Sequence, residues 1–350
     1  MKAIICGYYG KGNSGDEALL ISLLQMLPKN VTPIVLSGNP QQTKQKYQVE
    51  TCDRASAFPI LKAFDAADLF IWGGGSLIQD VTSILSPFYY IGLMSLAQQK
   101  GLKTIAWSQG IGPLKYPWTR SMTKKLLQHC TAISVRDRAS AKLLSDWQIP
   151  FTLAPDPVFA LKSKSVKGLW ETKAPRVAVI LRPHPQLTPD RLENLTKAIV
   201  SFQKATDTYI LLVPFQPVRD LEIARGISKR LPPSSHQIIT LEDPRELKGL
   251  FCGVEMTIAM RLHGLIMAAS EGCRCFAIGY DPKVTQLKEQ LDFPGWELKE
   301  LPEDPNLICT AWLEAYANSD PLSPDKIQFL IDRALINREL LVKICDRDLK

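Results

Sequence analysis

Short apolar runs alternate along the chain with longer segments whose apolar residues recur at helical intervals. In the first half, the runs at 2–6, 33–36, 69–72, 104–107 and 132–135 predict strands, and the segments at 16–27, 88–99, 119–128 and 139–147 predict helices between them. Strands that are apolar throughout, rather than at every second position, are expected in a parallel sheet buried on both faces. The second half repeats the pattern, with strands predicted at 177–181, 209–213, 237–240, 256–260 and 275–278 and helices at 191–204, 218–231, 244–251 and 264–271. This order predicts an α/β protein of two Rossmann-like, doubly wound domains facing a cleft. The boundaries read from it are a first domain over 1–160, a polar Lys-rich linker over 161–175, a second domain over 176–320, and a C-terminal helix within 321–350. In that helix, at 324–345, Ile327, Leu330, Ile331, Leu335 and Ile336 recur at helical intervals, and the helix is predicted to pack back on the first domain.

Composition narrows the class. A chain of 350 residues with 45% hydrophobic and 22% charged residues is that of an ordinary globular protein with a core large enough to need no disulfides. The net charge is +7, with Lys and Arg spread along the whole length and no compact basic block, which fits small anions or an anionic membrane surface and not nucleic acid. Eight cysteines without a C-x-x-C pair read as reduced thiols in a cytosolic protein. Four histidines without partners at ligand spacing give no case for a metal. No apolar run approaches the roughly 20 residues of a membrane helix.

In open α/β sheets ligands bind beyond the carboxyl ends of the strands, so the loops that follow strands carry the candidate chemistry. The first is Gly7-Tyr-Tyr-Gly-Lys-Gly-Asn-Ser-Gly15, opening a helix at Asp16-Glu17. Gly10, Gly12 and Gly15 match G-x-G-x-x-G, but no Asp or Glu occurs between Glu17 and Glu50 to hold a ribose, so a nicotinamide cofactor is excluded. Asn13, Ser14 and Gly15 remain candidates for an anion at the helix N-terminus. Gly73-Gly74-Gly75-Ser76 and Gln109-Gly-Ile-Gly-Pro113 follow the next strands, and Gly74 is taken to leave room for substrate. Arg136-Asp-Arg138 supplies two guanidinium groups suited to a carboxylate or phosphate, with a surface ion pair to Asp137 or Asp146 as the plainer alternative. In the second half, Arg182-Pro-His184-Pro, Arg261-Leu-His263-Gly and Tyr280-Asp-Pro-Lys283 occupy equivalent positions. Sequences diagnostic of P-loop ATPases, serine hydrolases and zinc peptidases are absent.

Taken in order, GYYGKGNSGDEALL, WGGGSLIQD, SQGIGP, ISVRDRAS, DPVF, MRLHGLIMAA and IGYDPKV resemble the polysaccharide pyruvyl transferase family, in its CsaB-type branch, from residue 7 to residue 284. The resemblance implies a GT-B-like fold. It also implies an enzyme without cofactor that transfers pyruvate from phosphoenolpyruvate onto two sugar hydroxyls as a 4,6-ketal. The acceptor implied is N-acetylmannosamine of a lipid-linked cell-wall polysaccharide precursor, which brings with it a peripheral contact at the inner face of the plasma membrane. By the same resemblance, Ser14, Arg136, His263 and Lys283 fall on positions of donor binding and catalysis. The reaction needs a general acid for the methylene carbon and a base for the hydroxyl, for which His263 and Asp16 are the expected residues. Arg261 is expected to join the donor's cations. Two other readings stay open here: a GT-B glycosyltransferase using a nucleotide sugar, and a non-catalytic sugar-binding module stacking on Trp72, Trp107 and Tyr280.

Overall fold

Apolar runs that cannot sit against water on either side have one economical arrangement, a parallel sheet with helices on both faces. A computed structural model, which describes residues 1–81, 85–171 and 173–346, shows that arrangement twice. The chain divides into one unit made of Met1–Leu161 with Leu330–Lys350, and a second made of Lys162–Phe329.

In the first unit the strands are β1 (Lys2–Cys6), β2 (Thr32–Ser37), β3 (Glu50–Asp53), β4 (Leu69–Gly75), β5 (Lys103–Gln109), β6 (Ala132–Val135) and β7 (Thr152–Leu153). They pair in parallel in the order β3-β2-β1-β4-β5-β6-β7. Residues alternate between two apolar layers: Ile4, Cys6, Phe70, Trp72 and Ala106 enter one, and Ala3, Ile5, Ile71, Ile105 and Trp107 the other. Leu341, Ile344 and Cys345 of the helix Pro324–Cys345 belong to the second layer. Buried Asn337 fixes that helix: its Oδ1 accepts from Ser134 Oγ at 2.8 Å, its Nδ2 donates to the Pro155 carbonyl at 3.1 Å, and its own carbonyl accepts from Trp107 Nε1 at 3.1 Å.

The second unit contains β8 (Arg176–Ile180), β9 (Tyr209–Leu212), β10 (His236–Ile238), β11 (Met256–Ala259), β12 (Arg274–Gly279) and β13 (Gly295–Glu297), parallel in the order β10-β9-β8-β11-β12-β13. The polar stretch read as a linker belongs to this unit: Lys164 donates its backbone N–H to the Arg245 carbonyl at 3.0 Å and pairs with Glu246 at 2.5 Å.

Many helices start the same way. Asn39, Thr188, Asp243, Asp281 and Asp304 each cap a helix with a side-chain oxygen, and a proline follows in the first turn. The cap satisfies an amide that has no partner within the helix, and proline has no amide to leave unsatisfied. Strands β3, β7 and β13 and the α-helices Pro40–Tyr47, Ala57–Asp65 and Pro305–Asn318 are additions to the elements expected from sequence. The short strands lie at or near sheet edges, where one face meets water and the apolar run disappears.

Candidate functional site

In the first sheet the strand order reverses between β1 and β4, so the crevice expected for a ligand lies at their carboxyl ends. The loop Gly7–Gly15 lies there. Asn13 caps the helix Ser14–Met26, its Oδ1 accepting from Gly15 N at 3.2 Å, while its Nδ2 donates to Asp16 Oδ2 at 2.5 Å. Buried Glu17 holds the loop from below, accepting from Gly10 N at 2.8 Å and from the Tyr47 hydroxyl at 2.7 Å. Asp16 and Gly75 are adjacent, since a Cβ on Gly75 would lie 3.5 Å from Asp16 Oδ1.

The glycines serve the protein more than a ligand. Tyr9 folds into the core and donates its hydroxyl to the Gly73 carbonyl at 2.6 Å. A Cβ at Gly73 would sit 2.1 Å from that hydroxyl, and one at Gly7 would sit 2.3 Å from the ring. Gly74 is bounded by Leu19 and Trp107, so the space left by its missing side chain is filled by apolar core and not by substrate. The same packing overturns the stacking expectation for Trp72 and Trp107, which are fully buried.

Arg136 follows β6. Its guanidinium pairs with Asp156, and both side chains are about 95% buried, with a second contact from Nη2 to Ser76 Oγ at 3.3 Å. Asp156 also caps the turn that follows it by accepting from Val158 N at 3.0 Å. The counter-charge is therefore the Asp of the DPVF segment, not Asp137 or Asp146. Asp137 instead caps the next helix by accepting from Ser140 N at 2.7 Å. Arg138 is exposed and in no ion pair among the described residues. Arg54, after β3, escaped the sequence reading because that strand did too. Its Nη1 donates to the Gly7 carbonyl at 3.1 Å, and the rings of Tyr8, Tyr89 and Tyr90 surround it at 5.7, 4.9 and 5.7 Å.

The second sheet reverses between β8 and β11, which places Arg182 and Arg261 at its crevice. Arg261 precedes the helix Leu262–Ser270, and His263 lies in that helix's first turn. The Arg261 guanidinium is buried and pairs with Asp220, Nη2 to Oδ1 at 2.5 Å. Asp220 is spent on both sides, because its Oδ2 accepts from Gln216 N at 2.9 Å. The Arg261 Nε–H has no acceptor among the described residues. Arg182 donates to the Tyr280 hydroxyl at 2.8 Å, with its guanidinium 4.8 Å from the ring centre. His184 lies 5.0 Å from the same ring. Burial and the neighbouring Arg182 charge hold the imidazole below its ordinary pKa, against the opposing charge of Asp281. Asp281 caps the helix Pro282–Leu291 through Lys283 N at 3.0 Å, which sets Lys283 in that helix's first turn. Sequence alone gave no signal for Asp220, whose partner lies 41 residues away. Among the described residues no group of His, Cys, Asp and Glu has the arrangement of a metal site.

The model of the polysaccharide pyruvyl transferase family matches residues 13–282, about three quarters of the chain. The chain belongs to this family. Membership makes it an enzyme of the pyruvyl transferase type. Comparison with curated proteins finds no significant sequence match. Among solved structures it is similar to a UDP-GlcNAc 2-epimerase from Methanocaldococcus jannaschii (TM-score 0.65, 11% identity, 98% of this chain and 100% of that one covered). It is also similar to a putative UDP-N-acetylglucosamine 2-epimerase from Listeria monocytogenes (0.64, 9%, 99% and 96%) and to a glycosyltransferase from Rickettsia africae ESF-5 (0.58, 12%, 100% and 98%). At such identities the likeness shows the GT-B-like fold of two Rossmann-like units and nothing about substrate.

Proposed function

We propose that this family member moves pyruvate from phosphoenolpyruvate onto two hydroxyls of one sugar as a 4,6-ketal, with N-acetylmannosamine of a lipid-linked cell-wall precursor as the acceptor. Family membership supports the reaction class. The observation that carries the donor is Arg261, whose buried Nε–H at the crevice of the second sheet is left without an acceptor. A buried donor without a partner costs about 1–3 kcal/mol, and a carboxylate or phosphate oxygen at that point offsets the cost. A neutral sugar ring offers no such charge.

In this reading, Arg261, Lys283 and the amides of the first turn of Leu262–Ser270 hold the donor's two anionic groups. His263, in that turn, gives a proton to the methylene carbon, which becomes the methyl group. The neighbouring carbon turns electrophilic and bonds to the first acceptor hydroxyl, whose proton goes to the base, proposed to be Asp16. The bond from that carbon to the phosphate oxygen then breaks, inorganic phosphate leaves with the proton taken up by Asp16, and the second hydroxyl bonds to the same carbon to close the ring, its proton restoring His263. No oxidant or reductant is needed. Arg136, Arg138, Ser14, Asn13 and Gly15 complete the proposed substrate-binding set, and cytoplasmic residence belongs to the same proposal.

A thermal-shift screen of phosphoenolpyruvate against UDP-sugars, followed by product masses with N-acetylmannosamine-containing acceptors, tests the reading. Stabilisation by phosphoenolpyruvate and a ketal product are expected. A folded His263→Ala variant should lose on the order of 10²–10⁴-fold in turnover. Stabilisation by UDP-sugars alone, or a variant of near-normal turnover, would refute donor and acid respectively.

A further inference from the structure

The cations of this chain are spread evenly, but the acids are not. Between Asp80 and Asp137 there is no Asp or Glu, while Lys100, Lys103, Lys115, Arg120, Lys124, Lys125 and Arg136 fall in that interval. One segment therefore accounts for a formal +7, the net charge of the entire protein. Lys100 pairs with Asp65 and Arg136 with Asp156. Lys115, Arg120, Lys124 and Lys125, clustered on and just before the helix Pro117–Gln128, are in no ion pair among the described residues.

The same segment exposes an apolar surface. Phe88, in the first turn of the helix Leu85–Gln99, stacks on Trp118 with ring centres 4.7 Å apart, and Trp118 stacks on Tyr116 at 5.9 Å. Phe88 is 44% exposed, Leu85 76% and Val81 48%. Met122, one turn beyond Trp118, is also exposed, and Lys125 follows on the same stripe. Buried Asp80 ties the two parts together, accepting from the backbone N–H of Lys115 at 2.8 Å and of Tyr116 at 3.1 Å. Exposed apolar side chains gathered around a stacked aromatic set mark an interaction surface. The two helices are the ones that follow β4 and β5 in the chain, so their first turns lie toward the carboxyl edge of the first sheet, the edge that carries Asn13 and Asp16.

We infer that this face docks the protein on an anionic lipid bilayer. Aliphatic and aromatic side chains enter the boundary between headgroups and acyl chains, and the rim of Lys and Arg meets the negative surface. Leu85, Val81 and Met122 favour lipid over nucleic acid, which is gripped by stacking and phosphate contacts without aliphatic wedges. The inference does not rest on the donor or the reaction proposed above, because binding is read without turnover.

The test is co-sedimentation of the full chain with vesicles of phosphatidylcholine alone and of phosphatidylcholine mixed with phosphatidylglycerol, at low and physiological salt. Binding to the mixed vesicles only, weakened by salt, is expected. At about fivefold per cation, Lys115→Gln with Lys125→Gln should weaken it about 25-fold. Leu85→Ser and Phe88→Ser should each weaken it on the order of 10-fold, with donor binding unchanged, and Leu85→Ser, whose side chain is largely exposed, should leave thermal unfolding unchanged as well. Equal partition onto both vesicle types would overturn the inference, as would folded variants that bind like the parent. So would tighter binding to a single-stranded oligonucleotide that the same variants lose.

Discussion

The ion pair between Arg261 and Asp220 allows the energetics of the second unit and the donor contact to be tested with one substitution. Asp220→Asn keeps the shape and removes the charge. Asp220 is 1% exposed and uses Oδ1 for Arg261 and Oδ2 for Gln216 N, so the new amide must point its NH₂ group at a donor. Breaking one side of a buried pair costs about 3–5 kcal/mol, because a charge is left without its counter-charge. In a unit of this size 1 kcal/mol moves the midpoint by about 2–4 °C, so a fall of about 6–20 °C is expected in scanning calorimetry. Asp65→Asn, which removes the exposed pair with Lys100, should cost at most about 1 kcal/mol. Ligand then separates structure from function. At 100 times its dissociation constant a ligand stabilises the parent by about 2.7 kcal/mol. If the donor's anionic group meets Arg261, phosphoenolpyruvate should raise the midpoint of Asp220→Asn by more than it raises the parent's, since it restores the missing counter-charge. A fall of under 2 °C on substitution would refute the ion-pair argument. An equal or smaller ligand-induced rise would refute the contact between Arg261 and the donor.

Two further outcomes follow from the same geometry. Asn337→Ala strands the Ser134 hydroxyl and the Pro155 carbonyl inside the first unit, at about 1–3 kcal/mol for each group, so denaturant unfolding should show a loss of about 2–6 kcal/mol. The His184 ring, held below its ordinary pKa by burial and Arg182, should titrate in NMR below 6.5, and Arg182→Gln should move it up. The folded state takes up this proton less readily than the unfolded chain, so the stability tied to His184 is full above 6.5 and lost as pH falls through the folded pKa.

The sequence by itself determined the architecture and the list of candidate loops. Predominantly apolar runs separated by helical spacing admit little besides parallel sheets, and the pairs of a capping residue with proline mark where helices start, because both signals are local. The ordered motifs from residue 7 to residue 284 carried the family. Strands β3, β7 and β13 were not legible, since an edge strand half in water loses its apolar run. Only the tertiary structure decided what the candidate residues do to one another. It placed Asp220 and Asp156 against Arg261 and Arg136, turned Gly7 and Gly73 into space for Tyr9, and brought exposed Phe88 against Trp118 and Tyr116. These are relations across tens of residues between side chains whose chemistry is ordinary on its own. A charge finds its partner, and a glycine its reason, only when the fold has set the distance between them.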